Sequence, residues 1–562
     1  MKELYRKALK HIEFIAYLLA IWSFFVLFLE PIISFYMNYR RVEVYTALAN
    51  IVLLLLTILN RALQKATKDQ RKIIFFDLIM LLMGSLLMIY QAKFVIFFLL
   101  IRQTYFILQY IIFRAFEGKL YKVLTGNPPV TLMLSFALVI SIGTMLLMLP
   151  AANVHNQVTP LADALFTATS ATCVTGLIVR DTGTYFTLFG QLVILLLIQI
   201  GGLGIMTVST AFAIVLGQRI TLKLESVMHK MVGGTQHLDV FSLLKNIVIV
   251  TLIIECIGAV LLYLTFSGIY PPFQAFYLSV FHSVSAFCNA GFSLFDSGLM
   301  AYTDNVNVNL SITALILLGG LGFTVLIDLH RYLFIKEKIK KLSLHTKIVL
   351  LTSGVLLAVG FISYYVAEYN GLMSGFTISR RVLSSWFQSV TTRTAGFNTI
   401  DTGGLSKASI LITLVLMFIG ASPGSTGGGI KTTTFAVLVL SVTSMLKGKR
   451  DLGIYNRKLP QSNYREATSL ITLTVGIVFF IVFILMLVEP HGFEKLLFEA
   501  ISAFGTVGLS MGITADLSVA GKILITVLMY IGRIGPLTMI YAFSIRKHYL
   551  NVNYAEEKIA IG

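Results

Sequence analysis

Four short windows of the sequence end in the same way, and this repetition restricts the fold more than any other feature. Each window runs from an aromatic residue through small, Ser- and Thr-rich positions to one glycine, which a large apolar residue follows. The windows are FTATSATCVTGL (166–177), FHSVSAFCNAGF (281–292), FQSVTTRTAGF (387–397) and FEAISAFGTVGL (498–509). The spacing from Phe to Gly is ten residues in three windows and nine in the third, unless Trp386 takes the aromatic position there.

A second glycine motif follows every window, about 24 to 28 residues beyond its glycine. These motifs are IGGLG (200–204), LGGLG (318–322), IGASPG (419–424) and IGRIG (531–535). A single copy would be interpreted as a turn at a membrane surface. Because two motifs recur in the same order with nearly constant spacing, we predict a unit of span, half-crossing helix and span that is repeated four times.

Apolar segments locate these units along the chain. First spans are predicted near 130–149, 241–265, 346–368 and 466–488, and half-crossing helices near 161–174, 273–289, 379–394 and 494–506. Second spans are predicted near 187–216, 308–335, 406–446 and 520–546. Of these, only the third is expected to be broken, and the GGLG motifs are expected to lie within helices.

The amino-acid composition is that of a membrane protein. Hydrophobic residues make up 57% of the chain and charged residues 12%, against about 45–50% and about 25% in soluble domains. Together with the four repeated windows, this composition predicts an all-α polytopic membrane protein with four pseudo-repeated helix–pore-loop–helix units around a central pore, preceded by about four extra transmembrane helices. The predicted boundaries are 1–125 for the N-terminal accessory region, 126–235, 236–340, 341–460 and 461–547 for the repeats, and 548–562 for a cytoplasmic tail.

The net charge of +18 is concentrated in short loops between spans. Examples are RALQKATKDQRK (61–72), KEKIKKLSLHTK (336–347) and KGKRDLGIYNRK (447–458). This distribution is the positive-inside pattern, which predicts a cell inner (cytoplasmic) membrane protein with both termini cytoplasmic. The basic residues therefore indicate membrane topology, and no nucleic-acid partner is expected.

A chain that enters the membrane, turns at a glycine and leaves again exposes unpaired carbonyls at membrane depth. Such backbone is tolerated only where it is buried in protein or lines a water-filled path. Four such segments around one axis would form rings of carbonyl oxygens that can replace the hydration shell of a cation. The windows therefore predict a cation pore.

From about residue 125 to its C-terminus, the chain resembles the potassium-translocating subunits of the Ktr/Trk/HKT superfamily. The four windows and the stretch GASPGSTGGGIKTT carry this resemblance. It implies K⁺ uptake through a single-chain pore, with K⁺ bound at the carbonyls of Gly176, Gly291, Gly396 and Gly508. The other filter residues implied are Val174, Thr175, Asn289, Ala290, Thr394, Ala395, Thr506 and Val507. A glycine at all four positions is the family's pattern for K⁺, whereas a serine in the first repeat marks relatives that transport Na⁺.

The stretch GASPGSTGGGIKTTTF (420–435) superficially resembles a phosphate-binding loop. Ile430 separates the last glycine from Lys431, and apolar segments flank the stretch, so the nucleotide interpretation fails. The resemblance implies instead an intramembrane gate beneath the filter. The implied gate residues are Gly420, Ala421, Ser422, Pro423, Gly424, Ser425, Thr426, Gly427, Gly428, Gly429, Lys431 and Arg533. The alternative is a static kink whose small residues allow close helix packing.

Charged residues at membrane depth are candidates for function because their burial is costly. Arg533 is expected to act with the gate as a barrier to cations, or else to pair with a carbonyl or with Glu255. Arg393 is expected to anchor the third window by pairing with an acid such as Asp401. The residues after the aromatic position, His282, Gln388 and Glu499, are expected to tie the half-crossing helices to neighbouring spans.

Further expectations concern partners and competing functions. The resemblance implies a homodimer that works with a cytoplasmic nucleotide-binding regulatory ring of the RCK type, formed by a separate subunit. The chain is expected to be no enzyme and to hold no cofactor of its own, with K⁺, or alternatively Na⁺, as the transported ion. A nucleotide-driven pump and a Na⁺-conducting or K⁺/Na⁺-cotransporting relative are the alternatives. Region 1–125 is expected to be an accessory rather than a voltage sensor, since FVIFFLLIRQTYF carries one arginine.

Overall fold

The computed structural model describes residues 128–204, 240–334, 341–449, 451, 453–536 and 538–539. The accessory region predicted over 1–125 and the tail predicted over 548–562 lie outside the described residues. The predicted basic loop 61–72 lies outside them as well, and so do residues 336–340 of the loop 336–347.

The described chain forms four successive units of a long helix, a short helix and a second helix. In chain order the helices are α1 (Pro128–Met148), α2 (Leu161–Thr172), α3 (Leu188–Gly202), α4 (Val240–Phe266), α5 (Pro272–Phe287), α6 (Val306–Leu321), α7 (Phe323–Phe334), α8 (Leu344–Ala367), α9 (Ile378–Thr391), α10 (Lys407–Phe418), α11 (Thr432–Leu446), α12 (Gln461–Val488), α13 (Phe493–Gly505) and α14 (Val519–Ile534). A two-stranded hairpin, β1 (Gly453–Ile454) and β2 (Arg457–Lys458), lies between α11 and α12.

Each repeat begins with a helix long enough to cross a membrane. Among the described residues, the helices that meet the length and hydropathy of a span are Pro129–Met148, Lys245–Phe266, Leu344–Ala367 and Gln461–Val488. The short helices α2, α5, α9 and α13 have 12, 16, 14 and 13 residues. At about 1.5 Å per residue they span only about 18–24 Å, less than the hydrocarbon core of about 30 Å. They are therefore half-crossing pore helices, as the sequence predicts.

The repeats close into a ring. The pore helix of each later repeat packs against the second helix of the repeat before it: α5 on α3, α9 on α6 and α13 on α10. The ring is completed by α14 of the fourth repeat, which packs against α2 of the first. Two buried apolar clusters follow this arrangement, one running from the first repeat through the second to the third and the other joining the fourth to the first.

The second helix of every repeat begins with the same kind of cap. A Ser, Thr or Asn side chain accepts a hydrogen bond from the backbone N–H three residues later, which satisfies one of the unpaired donors of the helix end. The capping residues are Thr187, Asn305, Ser406 and Ser518. The four helices therefore start at equivalent points of the repeat.

Three of these second helices end earlier than the sequence predicts, and that of the third repeat, α10, ends at the predicted break. Gly204, Gly322, Gly424 and Gly535, the last glycines of the four second motifs, all have a positive φ, between 66° and 95°. At Gly322 the chain turns by 101° between α6 and α7, so the single span predicted over 308–335 is wrong. The prediction that the GGLG motifs lie within helices is also wrong, because both motifs end a helix. A left-handed residue stops the α-helix, and glycine adopts that conformation without the steric cost of a Cβ.

Candidate ion pathway

The four window glycines meet around one axis. A Cβ placed on Gly176 would come closer than 3.0 Å to the carbonyl of Ala290, and one on Gly291 would do so to that of Ala395. The same relation joins Gly396 to the carbonyl of Val507 and Gly508 to that of Thr175, which closes the circle. Real Cβ atoms essentially never approach so closely. No side chain can therefore enter this ring.

The backbone alternates in hand at each of the four positions. The ring glycines have φ values from 70° to 92°. The residues two places before them also have positive φ: Val174 at 57°, Asn289 at 59°, Thr394 at 69° and Thr506 at 50°. For Val and Thr this conformation is strained, and such residues cluster at functional sites. Alternation directs successive carbonyls toward a common side, whereas the carbonyls of a regular strand point alternately to opposite sides.

A hydroxyl at the end of each pore helix braces the ring. The residue before each ring glycine donates its N–H to the carbonyl of Ser170, Ser285, Thr391 or Ser502, at 2.8–3.0 Å. The hydroxyls of Ser170 and Ser502 accept the N–H of Gly176 and Gly508 at 3.1 Å. The remaining two donate to the carbonyls of Phe292 and Phe397. Among the described residues, no backbone hydrogen bond ends on the carbonyls of Thr175, Ala290, Ala395 or Val507, which leaves them available to an ion.

The third window is aligned by the same braces. Thr391 occupies the place of Ser285, and Phe387 is fully buried like the aromatic residues of the other windows. Trp386 is only half-buried and donates its ring N–H to Thr313 at 3.3 Å. The missing residue of this window therefore falls after the pore helix, and Trp386 does not take the aromatic position.

Two side chains tie the pore helices to the chain that follows the ring. His282 Nε2 lies 3.1 Å from Ser293 Oγ, while its Nδ1 lies 2.8 Å from the carbonyl of Leu278. Glu499 accepts hydrogen bonds from Ser510 and from Thr514. Ser293 and Ser510 are equivalent, each two residues beyond a ring glycine. The expectation that these residues reach neighbouring spans is thus wrong for His282 and Glu499, which brace the segment just outside the ring.

The gate loop, defined here as residues 419–431, lies directly beneath the ring. The N–H of Gly428 donates to the hydroxyl of Thr506 at 3.0 Å. A Cβ on Gly427 would collide with the hydroxyl of Thr394. On its other side the loop binds the second repeat, because Ser422 and Thr426 donate their N–H groups to carbonyls of the LGGLG motif at 3.1 and 3.2 Å. The loop therefore contacts three repeats through its main chain.

Arg533 connects the loop to the remaining repeat. Its guanidinium donates to the carbonyl of Thr426 and to that of Gly201 at the end of α3. Lys431 donates to the carbonyl of Gly427 at 2.7 Å, inside the loop itself. The alternative pairing of Arg533 with Glu255 is wrong, since the carboxylate of Glu255 instead accepts from Gln199 at 3.3 Å.

Arg393 does not pair with Asp401. Its guanidinium reaches the carbonyl and hydroxyl of Ser353 in α8, at 3.5 and 3.3 Å. Asp401 accepts the N–H of Gly403 at 3.0 Å in a tight turn. Arg393 is thus an anchor to the first span of its own repeat, held by neutral acceptors.

A cavity of about 210 Å³ borders the opposite side of the loop. Lys431, Arg533 and the helix-ending glycines Gly204 and Gly535 are among its lining residues. The loop therefore separates the ring from this cavity. With a closed ring of carbonyls above and a loop held by two cationic side chains below, the arrangement can bind a dehydrated cation and block its passage.

A family model described as TrkH, cation transport protein, matches residues 103–551. The chain belongs to the TrkH family of cation transport proteins. It is a transport protein and not an enzyme, and the ring lies within the matched region.

Several named proteins are similar to this TrkH-family chain. It is 42% identical to "Ktr system potassium uptake protein B" of Bacillus subtilis (strain 168) over 79% of this chain and 99% of that protein. It is 38% identical to the protein of the same name in Vibrio alginolyticus, over 80% and 98%. Identity is also 38% with "Potassium/sodium uptake protein NtpJ" of Enterococcus hirae, over 76% and 95%.

The crystal structure of the potassium transporter TrkH from Vibrio parahaemolyticus has the same fold. The TM-score is 0.61 at 19% identity, and the match covers 84% of this chain and 96% of that one. This likeness agrees with the predicted all-α membrane architecture of four pore-helix units.

Sequence reasoning missed several residues that build the TrkH-type site. The bracing residues Ser170, Ser285, Thr391 and Ser502 were seen only as small, polar positions. Their recurrence six residues before the ring glycine in three windows, and five in the third, was the available signal. The N-caps of the second helices also recur, but at positions that stand out only once the helix starts are known.

Proposed function

We propose that this chain takes up K⁺ through a pore whose selectivity filter is the ring of four glycines and the carbonyls around it. The observation that carries the proposal is the closed circle of contacts among Gly176, Gly291, Gly396 and Gly508, in which no side chain fits. Rings of backbone carbonyls replace the hydration shell of an alkali cation. Three similar proteins with potassium uptake in their names support K⁺ as the ion.

The alternative is transport of Na⁺, alone or together with K⁺. The name of the Enterococcus hirae relative, a potassium/sodium uptake protein, favours this alternative. Glycine in all four ring positions favours K⁺. The preference is measured as K⁺ against Na⁺ flux into proteoliposomes that contain the purified chain.

The first ring glycine offers the sharpest test of the filter. At Gly176 φ is +92° and the neighbouring carbonyl is that of Ala290, so a serine side chain would strain the backbone and shift this carbonyl. We expect Gly176→Ser to lower the K⁺/Na⁺ flux ratio by about tenfold, which corresponds to about 1.4 kcal/mol. Gly354→Ser serves as the control, because nothing lies within 4 Å of a Cβ at that site. An unchanged ratio would remove the filter role of Gly176.

The gate loop obstructs this pore and moves aside during transport. Its position between the ring and the cavity, its hydrogen bonds to the second and fourth repeats, and the Arg533 bridge to the first repeat support this role. The static kink remains the competing interpretation, since Gly427 and Gly428 are required by close contacts with Thr394 and Thr506. Removal of residues 424–429 distinguishes the two. A gate predicts a higher maximal K⁺ flux, whereas a packing element predicts loss of the folded protein.

The chain works as a homodimer with a separate cytoplasmic nucleotide-binding ring, and both of its termini are cytoplasmic. The words "Ktr system" in two relatives' names support a second component. The test is rescue of growth at limiting K⁺ in a strain that lacks its own K⁺ uptake, with and without a co-expressed regulatory subunit. Equal rescue with and without that subunit would show that the chain does not require a cytoplasmic regulatory ring.

A further inference from the structure

We propose that Thr506 is a positioning residue that couples the filter to the gate, because its hydroxyl holds the closed loop by accepting the N–H of Gly428. This inference rests on the gating role proposed above and assigns it a specific contact. Thr506 is fully buried and lies two residues before the ring glycine Gly508. One residue therefore belongs to both the filter and the closure.

The backbone of Thr506 is fixed in an unfavourable conformation. It ends the pore helix α13 in the left-handed region, at φ 50° and ψ 50°. A β-branched residue rarely adopts this region, so asparagine or glycine would be the better choice for helix termination alone. The equivalent residues Val174 and Thr394 share this conformation, so the ring imposes it, and the Thr506 hydroxyl adds an interaction with the loop. The interaction in the structure is the 3.0 Å hydrogen bond from Gly428.

The equivalent residues of the second and third repeats also place polar side chains on the side of the ring that faces the gate loop. Thr394, the equivalent residue of the third repeat, has its hydroxyl against the Cα of Gly427. Asn289 of the second repeat lies next to Thr394. Its amide nitrogen donates to the carbonyls of Ile316 and Ala286 at 3.1 Å. In this orientation its amide oxygen lies 3.4 Å from the hydroxyl of Thr394. Three of the four equivalent residues thus form a polar floor under the ring.

The first repeat lacks this feature. Val174 has no polar atom in its side chain, and it packs against Gly201 in α3. In this repeat Arg533 reaches the backbone of Gly201 instead. The loop is therefore held by hydrogen bonds to the second and fourth repeats, by close contact with Thr394 of the third, and by an arginine bridge on the side of the first.

Opening the gate must break the bond between Gly428 and Thr506. The Gly428 N–H would then lose its partner in a buried site, which disfavours the open state by the amount the bond contributes. Because coupling between two sites is reciprocal, an ion that changes the backbone at Val507 and Gly508 also changes the stability of the closed loop. Thr506 transmits this effect in both directions.

The experiment measures K⁺ flux into proteoliposomes that contain the full chain. Thr506→Val removes the acceptor and keeps the shape, and Thr506→Ser keeps the acceptor. We expect Thr506→Val to raise the maximal flux about three- to tenfold at an unchanged KM for K⁺, and Thr506→Ser to restore wild-type flux. The matched control is Thr474→Val, which alters a buried threonine of α12 whose hydroxyl has no partner among the described residues.

A double-mutant cycle with the loop separates coupling from a local effect on the filter. In a chain that lacks residues 424–429, Thr506→Val should leave the flux unchanged, because the contact is already absent. The same increase in both backgrounds would overturn the coupling. If loop removal raises the flux but Thr506→Val does not, the coupling through Thr506 is refuted, while the gating role of the loop is still supported.

No increase on loop removal would refute the gate and this inference together. Folding is checked by size-exclusion chromatography, and Thr506→Ala replaces Thr506→Val if the valine variant does not fold.

Discussion

Arg533 bridges two main-chain segments that must separate if the gate loop moves. It is 5% exposed and donates to the carbonyls of Thr426 in the loop and Gly201 in the first repeat. Its geometry matters as much as its charge, because a guanidinium presents several donors in a fixed fork and an ammonium group does not. If the fork of donors holds the loop, a lysine cannot replace Arg533; if positive charge alone forms the barrier, a lysine can.

We expect Arg533→Ala to raise the maximal K⁺ flux by about tenfold or more, since charge-assisted hydrogen bonds contribute about 1.5–3 kcal/mol. Arg533→Lys keeps the positive charge and cannot hold both carbonyls, so its flux should rise at least about threefold. Flux into proteoliposomes measures both variants. Wild-type flux in the lysine variant would mean that charge alone forms the barrier.

At this scale the sequence predicted residue types better than partners. The ring glycines stood out because four equivalent positions share one backbone requirement. The partner of Arg393 could not be predicted in this way. Arg393 contacts Ser353, 40 residues earlier in the chain, whereas the sequence offered only a nearby acidic residue as a candidate partner. His282 and Glu499 show the same limit: their burial was predictable, and the serines that they reach were not.

At the scale of elements, the bend between α6 and α7 is the clearest departure from prediction. Hydropathy continues through Gly322 into FTVLIDLHRYLF, so an apolar pattern alone predicts one span. The bend is fixed by contacts outside the segment: the N–H of Phe323 donates to the carbonyl of Gly424 at 3.0 Å. A contact with a distant loop leaves no periodic signal in the sequence, whereas the limits of the pore helices were predicted to within about three residues.

This bend yields a prediction for two glycines. Gly322 has φ +95° and would place a Cβ against the carbonyl of Pro423 in the gate loop. We expect Gly322→Ala to destabilise the protein by about 1–3 kcal/mol, as a strained left-handed residue does. Gly354→Ala, in the middle of α8 with free space around it, should be neutral or stabilising by about 0.4–1 kcal/mol. Thermal unfolding in detergent compares them, and equal midpoints would argue against the bend as a fixed feature.

The end of α8 carries a carboxylate that holds the start of α10. Glu368 accepts the N–H of Ser406, the N-cap of α10, at 2.9 Å and that of Leu372 at 3.0 Å. Burial raises the pKa of this carboxyl, but hydrogen bonds from Ser409, Ser406 and Leu372 outweigh it and leave the pKa below the usual 4.5. Because the folded pKa is depressed, the stabilisation is present above about pH 4.5 and is lost as the pH falls through the lower folded value.

We therefore expect Glu368→Gln to lower the unfolding midpoint at neutral pH, with a loss of about 1–3 kcal/mol. The difference from wild type should shrink as the pH is lowered past 4.5, because wild-type Glu368 then becomes neutral as well. Glu466→Gln, which alters an exposed carboxylate of α12, is the control. A difference that is independent of pH would assign the effect to packing rather than to charge.

At the scale of the whole molecule, four repeats in one chain can form a ring only if the last packs against the first. That contact joins segments some 360 residues apart, so no local signal in the sequence specifies it. Lys522 at the start of α14 pairs with Asp163 in the first turn of α2 at 2.8 Å, and Arg180 binds the other carboxylate oxygen at 2.8 Å. Asp163 is 4% exposed and Lys522 13%. The contact between the last and the first repeat thus includes the largely buried carboxylate of Asp163, which pairs with both Lys522 and Arg180.

Asp163→Asn tests whether this pairing stabilises the pore. It leaves the buried ammonium of Lys522 without its counter-ion, and removal of one partner of a buried pair is costly, about 3–5 kcal/mol when both are fully buried. Residual exposure reduces this, so we expect a loss of about 1–3 kcal/mol. Asp304→Asn is the matched control, because Asp304 pairs with Arg380 at 3.3 Å while 67% exposed, and surface pairs contribute about 0–1 kcal/mol. Thermal unfolding of the two variants in detergent should therefore differ clearly. If both lower the midpoint equally, apolar packing of α14 on α2 closes the ring without help from the ion pair.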